Sequence, residues 1–275
     1  MTDFDFFDIL FLMKKLIFFL IFILAFSSNV YAFDRKGFSP TAPFSVISTF
    51  SAESPKQNQV AIDFNFELTN DPDIKRTNLN LSYGLTDKVE VIANLPYNIS
   101  YHNSINGNGA EDINFGFKHR VIDETTYLPA FAYMLYVSGD FGNEDFSTEG
   151  GRGGGLIVTK KLGPVKAHGN LIYFKPEKEG LKETWNLNIG SELKVSYNSS
   201  ILFEIIGRKA IDKNKIDLLE WRLGYRVRVT NFSYTTVSTG FDIKNRTPDV
   251  RFMFGISLVL PGEKHTLKRI VKDID

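Results

Sequence analysis

The chain contains no cysteine. Disulfide scaffolds, thiolate metal sites and cysteine nucleophiles are therefore excluded together. Beyond residue 26 no apolar run approaches the length of about 18 residues that marks a membrane-spanning helix, so none is predicted there. No charge excess is present either, because 32 Lys and Arg face 32 Asp and Glu, which argues against a nucleic-acid-binding surface.

The N-terminal segment has the pattern of a secretory signal. Met13-Lys14-Lys15 is a basic start, residues 16–26 form an apolar run, and Val30-Tyr31-Ala32 resembles an A-x-A cleavage site. The run is short for a bilayer span, which needs about 20 residues, so a permanent anchor is the weaker alternative. We predict that residues 1–32 are a signal peptide, that translation starts at Met13, and that the mature chain begins at Phe33.

Alternation of apolar and polar residues dominates the rest of the chain. Residues 60–68 place branched and aromatic side chains on one face and charged ones on the other. A period of two is typical of a strand whose two faces meet different surroundings. Most such segments reach the length of a tilted bilayer-spanning strand, about 9–11 residues, rather than the 5–6 or so typical of soluble strands. Twelve are predicted, near residues 58–69, 75–86, 88–99, 111–122, 128–138, 153–162, 164–174, 183–196, 200–209, 217–229, 232–241 and 249–260.

The links between these strands alternate in length, with one exception at 122–127. Outer-membrane barrels have short periplasmic turns and longer outside loops. The pattern therefore predicts an all-β, closed antiparallel transmembrane barrel of twelve strands with both chain ends in the periplasm. A secreted β-sandwich also has one apolar face, but strand length and loop alternation favour the barrel. The tight links are 86–87, 163, 197–199 and 230–231, and the long ones are 101–110, 139–152, 175–182 and 210–216.

Three stretches carry a family resemblance: residues 83–97, 109–118 and 128–140. Together they resemble the outer-membrane "meta-pathway of phenol degradation" family of transporter-like barrels. Ser138 stands where that family has a proline before Gly139. The resemblance implies an outer-membrane location and a role with hydrophobic compounds, and it supplies no catalytic residues.

These patterns divide the chain into four parts. The signal peptide is followed by a periplasmic N-terminal segment at 33–57, the barrel at 58–261 and a polar periplasmic tail at 262–275. Expected partners are outer-membrane lipid, a small hydrophobic solute, the barrel-insertion machinery and periplasmic chaperones, but no nucleic acid.

The interior face of the predicted barrel is where a functional site is expected. Register arithmetic sets Glu204 opposite Arg222 in one hairpin and Glu192 opposite Glu204 in the preceding one. Two interpretations stay open for the charges: a salt-bridge network that fills the barrel, or a selectivity lining for a solute. The apolar members are either interior packing or an apolar path. The charged candidates are Lys118, Glu192, Glu204, Arg208, Glu220, Arg222, Arg226 and Arg251, and the apolar candidates are Ile92, Ile172, Leu202, Ile206 and Met253.

Catalysis and cofactor binding are not expected. His102-Asn103-Ser104 supplies residue types found in lipid hydrolases, but adjacent loop residues rarely converge as a triad. The four histidines match no metal-ligand spacing. We therefore predict a non-enzymatic barrel in the outer membrane of a Gram-negative bacterium, for passage or binding of small hydrophobic molecules. A structural or surface-interaction barrel is the alternative, and a lipid hydrolase is a distant third.

Overall fold

The computed structural model describes residues 37–102, 106–211, 216–243 and 249–262. The predicted signal peptide, the mature start at Phe33 and nearly all of the predicted tail lie outside these residues. In the described part of the chain, no helix is long and apolar enough to span a membrane.

Thirteen β-strands make up the described structure. Their alternating sequences suit a sheet with one apolar face and one polar face. The strands are β1 (Val60–Asn70), β2 (Asp73–Gly84), β3 (Val89–His102), β4 (Asn106–Ala110), β5 (Ile113–Ile122), β6 (Ala130–Gly139), β7 (Gly151–Leu162), β8 (Val165–Pro176), β9 (Thr184–Lys194), β10 (Ser199–Ala210), β11 (Leu218–Arg228), β12 (Ser233–Asp242) and β13 (Val250–Leu260).

Twelve of these strands close into an antiparallel barrel, which confirms the predicted fold. Each pairs with its neighbours along the chain, and β1 pairs with β13 to close the ring. β4 is the additional strand, and it pairs only with the outer end of β3. Its sequence, Asn-Gly-Asn-Gly-Ala, has no apolar alternation, which is why the sequence predicted a loop there.

The two faces of the barrel differ as lipid and lumen require. Phe64, Ile189 and Leu223 are among many large apolar side chains exposed on the outside. Exposed aromatic side chains flank this band at both ends, for example Trp185 near the long loops and Phe232 near the short turns. An apolar belt of this kind around a closed barrel is the pattern of an outer-membrane protein.

The N-terminal segment occupies the barrel interior. Residues 33–57 were predicted to lie in the periplasm, but the structure places residues 38–55, called here the lumen segment, among the inward-facing side chains of the wall. Phe50 and Ala52 are fully buried there. The segment has no strand periodicity because its main chain bonds to side chains of the wall rather than to another strand.

Candidate functional site

Glu204, in the middle of β10, holds the lumen segment by its main chain. One carboxylate oxygen, Oε1, accepts hydrogen bonds from the backbone N–H groups of Ile47, Ser48 and Thr49 at 2.7, 2.7 and 2.6 Å. Glu204 is fully buried. Convergent main-chain N–H groups form an anion-binding nest, and a bond to an ionised acceptor is stronger than a neutral one. The wall thus supplies an anion where the segment presents donors.

Cations of the wall bind the carbonyl oxygens of the same segment. Arg226 on β11 donates to the backbone oxygen of Ser45 at 2.8 Å and also to that of Val46. Lys118 on β5 donates to the backbone oxygens of Ser51 and Glu53 at 2.7 and 2.6 Å. Acceptors and donors of the main chain are therefore matched to side chains of appropriate charge.

Amide side chains complete this arrangement. Asn94 accepts a hydrogen bond from the N–H of Ser39 at 3.0 Å and donates to its carbonyl oxygen at 2.9 Å. Asn170 does the same for Phe50, at 2.7 and 2.9 Å. A side-chain amide used in this way replaces the partner strand that buried backbone would otherwise need.

An aromatic stack on β6 and β8 also holds the segment. Phe38 packs face to face on Tyr136 with ring centroids 4.5 Å apart, and on Phe50 at 5.5 Å. Tyr136 in turn stacks on Phe174 at 5.8 Å. Gly153 makes room for this stack, because a Cβ at that position would lie 2.3 Å from Cζ of Tyr136.

The five predicted apolar lumen residues all lie on the interior face. Ile92 and Ile172 belong to the buried cluster that contains Phe38 and Phe50. Leu202, Ile206 and Met253 are buried as well. In this structure Ile92 and Ile172 pack against the segment. They therefore serve as interior packing, one of the two roles that the sequence left open, the other being an apolar path.

A chain of alternating charges runs along the lumen wall from β11 through β13 and β1 to β2. Six side chains take part, and each is at most 7 % exposed. A buried charge is costly unless it is paired, so each member of the chain is expected to contact a side chain of opposite charge. The links are Arg222–Glu220 at 2.6 Å, Arg251–Glu220 at 3.2 Å, Arg251–Glu67, Arg76–Glu67 at 3.4 Å and Arg76–Glu111 at 3.0 Å.

The register supports one predicted pair and corrects the other. Glu204 lies opposite Arg222, as predicted, although the carboxylate and guanidinium are 4.0 Å apart. Glu192 lies opposite Leu202 rather than Glu204. The reason is the turn: β9 ends at Lys194 and β10 begins at Ser199, earlier than the sequence suggested, so the pairing moves by two residues. Glu192 instead accepts a hydrogen bond from Ser200 at 2.7 Å.

A cavity of about 120 Å³ remains beside the segment toward the long loops. Half-buried Arg208 lines it with Arg222 and Arg251, and Phe38 and Phe174 form its apolar side. The structure thus gathers three predicted cations beside the aromatic stack. Lys118, Glu192 and Arg226 are not among the residues that line this space.

The loop at 140–150 covers the outer mouth and is fixed by Asp112. One carboxylate oxygen accepts from the Ser147 hydroxyl at 2.8 Å, and the other accepts from the N–H and hydroxyl of Thr148 at 2.7 and 2.6 Å. Burial alone would raise the pKa of Asp112, but these hydrogen bonds outweigh it and hold the pKa below its ordinary value. Phe146 of the same loop packs edge-on against Tyr101.

The residues considered for hydrolysis do not assemble a triad within the described structure. His102 contacts the Ser100 hydroxyl at 2.9 Å and the Asp73 carboxylate at 3.9 Å, but through the same ring nitrogen, Nδ1. A triad needs the base to contact its two partners through different nitrogens. Asn103 and Ser104 lie outside the described residues. Among the described residues, no group of three or more His, Asp or Glu is placed to hold a metal ion.

Comparison with known proteins defines the class through the fold. The COG4313 outer membrane channel from Pseudomonas putida F1 superposes with a TM-score of 0.60 at 15% identity, covering 76% of this chain and 98% of the channel. The KdgM porin gives 0.55 at 10% identity over 72% and 98%, and the NanC porin gives 0.53 at 8% over 73% and 99%. No protein-family model matches the sequence, and no curated protein matches it. The chain is an outer-membrane-type β-barrel.

Proposed function

We propose that the protein is an outer-membrane channel for small solutes whose lumen segment is its gate. The observation that carries this proposal is the way the segment is held. The barrel wall makes all of its strand pairings without the segment. The segment is bound to the wall by side chains such as Glu204 and Arg226, which bond its backbone. Removing the segment from the lumen would therefore leave the wall closed against lipid.

The size and polarity of the barrel support a conduit. About eight strands enclose an interior that side chains alone can fill, whereas larger barrels hold a plug or a channel. The twelve-stranded wall here exposes Glu, Arg, Asn and Thr side chains inward, which water can solvate once the segment is displaced. The similar solved structures are described as a channel and as porins, in keeping with this proposal.

The solute class that we propose is small and hydrophobic. The resemblance to the phenol-degradation barrels suggests it. The ring faces of Tyr136 and Phe174, together with Ile92 and Ile172, would line one side of the path after Phe38 leaves. Apolar walls with a few polar groups opposite are typical of small-molecule sites.

A structural barrel is the second candidate, because the described lumen is closed. The buried charge chain is fully paired around Glu67, Arg251 and Glu220, and the cavity beside the segment holds only about 120 Å³. A lumen filled in this way would serve as a rigid support for the outer loops.

Conductance in planar bilayers separates the two candidates. Glu204→Ala removes the acceptor of three main-chain N–H groups, so the channel proposal predicts a rise in conductance above the wild type. Glu192→Ala is the matched control, since Glu192 is an inward-facing glutamate on the neighbouring strand that bonds Ser200 rather than the segment. A folded Glu204→Ala barrel that conducts no more than the control would contradict a gated channel and favour the structural barrel.

A further inference from the structure

The outer face of the barrel carries an apolar groove where a row of large side chains is interrupted. Across β5 to β9, the outward residues at one level are Phe117, Leu135, Gly154, Tyr173 and Trp185, each paired with the next. Gly154 is the member without a side chain. The groove over this position has a volume of about 860 Å³ and walls that are almost entirely apolar. It faces lipid, so an acyl chain is the natural occupant of such a space.

The groove ends at two cations on the side of the long loops. Arg152 and Lys175 lie opposite each other on β7 and β8, two residues from Gly154 and Tyr173 along their strands. Two residues of strand correspond to about 7 Å. β7 begins directly after the long loop at 140–150, which identifies this as the outer-leaflet side. The cations therefore lie at headgroup level, above an acyl-chain groove.

Both cations have carboxylate partners that are easily exchanged. Arg152 pairs with Glu177 at 3.4 Å and Lys175 pairs with Glu183 at 3.3 Å, and all four side chains are more than a third exposed. Exposed ion pairs of this kind contribute little and rearrange readily. A phosphate carries more charge than a carboxylate and offers three acceptor oxygens, so it competes well for a guanidinium and an ammonium.

We propose that this groove is a binding site for the phosphorylated glycolipid of the outer leaflet, with one acyl chain over Gly154 and a phosphate between Arg152 and Lys175. A larger side chain at Gly154 would occupy the groove, and its Cβ would also lie 3.0 Å from Cδ2 of Leu135 and 3.1 Å from the backbone oxygen of Met134. The neighbouring glycines at 153 and 155 are explained by the interior instead, where Tyr136 and Met134 approach them closely.

Native mass spectrometry of the purified barrel with added lipid A tests the site. The wild type should retain one lipid A per barrel, and Arg152→Gln with Lys175→Gln should lower its affinity by about tenfold or more, the loss expected for two charge-assisted contacts. Gly154→Leu should abolish retention by filling the groove. Gly169→Leu is the matched control, because Gly169 faces lipid on β8 and a Cβ there would meet nothing within 4 Å.

Several results would overturn the proposal. Equal retention by the wild type and the double Gln variant would show that the cations do not recognise the phosphate. Tighter binding of phosphatidylglycerol than of lipid A would assign the groove to a phospholipid, and a barrel dimer in place of a lipid adduct would assign it to a second copy of the chain. Since the double Gln variant adds no bulk to the groove and changes only exposed ion pairs, its result stands even if Gly154→Leu fails to fold.

Discussion

Two regions of the lumen wall hold the same segment by different physical means. Toward β10 and β11, Glu204 and Arg226 bind its backbone with ionised side chains. Toward β6 to β8, Tyr136 and Phe174 bury Phe38 in an aromatic stack. Hydrogen bonds fix position but have only a modest net value, because water offers the released groups an alternative. Apolar burial has no such alternative in water.

This difference suggests how a gate can be both well placed and releasable. The hydrogen bonds of the charged side fix the position of the segment. They do not prevent its release, because water that enters the polar lumen can solvate the displaced carbonyl and N–H groups. The aromatic side adds apolar burial, for which water offers no substitute. A solute able to occupy the ring faces would lower the cost of release.

The largest effect is expected on the charged side, at Arg226. Arg226→Met removes the donor to two or three carbonyl oxygens and leaves them buried without a partner. Each buried carbonyl left without its donor costs about 1–3 kcal/mol, so the loss of several at once is the larger effect. Denaturant unfolding, followed by gel mobility of unheated samples, measures it. Arg228→Met is the control, because Arg228 lies on the same strand but bonds only the adjacent turn. Equal destabilisation would contradict the special role of Arg226.

A somewhat smaller effect is expected on the aromatic side. Phe38→Ala removes the ring that lies between Tyr136 and Phe50, and Phe-to-Ala changes in a core cost about 3 kcal/mol or more. We expect the lower end because Phe38 borders the cavity. Protease access to the lumen segment should increase, whereas Phe38→Leu should largely preserve protection. No change with Phe38→Ala would mean that the charged side holds the segment alone.

The outer loop provides a pH test of the same structure. Because the pKa of Asp112 is held below the ordinary value of 3.8, its contribution is present above that value and is lost only as pH falls through the lower, folded pKa. The backbone amides of residues 140–150 should therefore stay protected from hydrogen exchange at pH 5. Their exchange rates, corrected for intrinsic rates, should rise only in stronger acid. Asp112→Asn should lose protection at neutral pH, at a cost of about 1–3 kcal/mol. Release of the wild-type loop near pH 5 would contradict the assignment.

The smallest effect is expected where the lumen segment leaves the barrel. Glu53 and Lys166 pair at 2.8 Å, but their side chains are 45 % and 26 % exposed. Exposed pairs contribute less than about 1 kcal/mol. Lys166→Ala should leave unfolding and conductance close to wild type. A large change would mean that the inner mouth, rather than the middle of the lumen, holds the segment.

The sequence predicted the wall well and its contents poorly, for identifiable reasons. A period of two reports which face a residue lies on, so the inward position of Glu204 and Arg226 followed from alternation alone. Register depends on where a turn is centred, and a centre at Tyr197 rather than Asn198 was enough to misplace Glu192 by two residues. The lumen segment has no period at all, because its partners are side chains far away in sequence, such as Asn170 for Phe50. Long-range partners of irregular backbone leave no local signal.

The most direct test of the gate is to lock it. A Cβ at Gly190 on β9 would lie 3.2 Å from Cβ of Thr49 and 2.9 Å from Cγ2 of Val46. A small outward shift of the segment would relieve the contact with Val46 and bring the two Cβ atoms into the roughly 3.5–4.5 Å range of a disulfide. The chain has no other cysteine, so Thr49→Cys with Gly190→Cys allows only one bond.

We would measure bilayer conductance of this pair in the Glu204→Ala background, with the disulfide verified by mass spectrometry. The account predicts a closed barrel when oxidised and an open one after reduction, reversibly. The same conductance in both states would contradict the claim that the lumen segment is the gate.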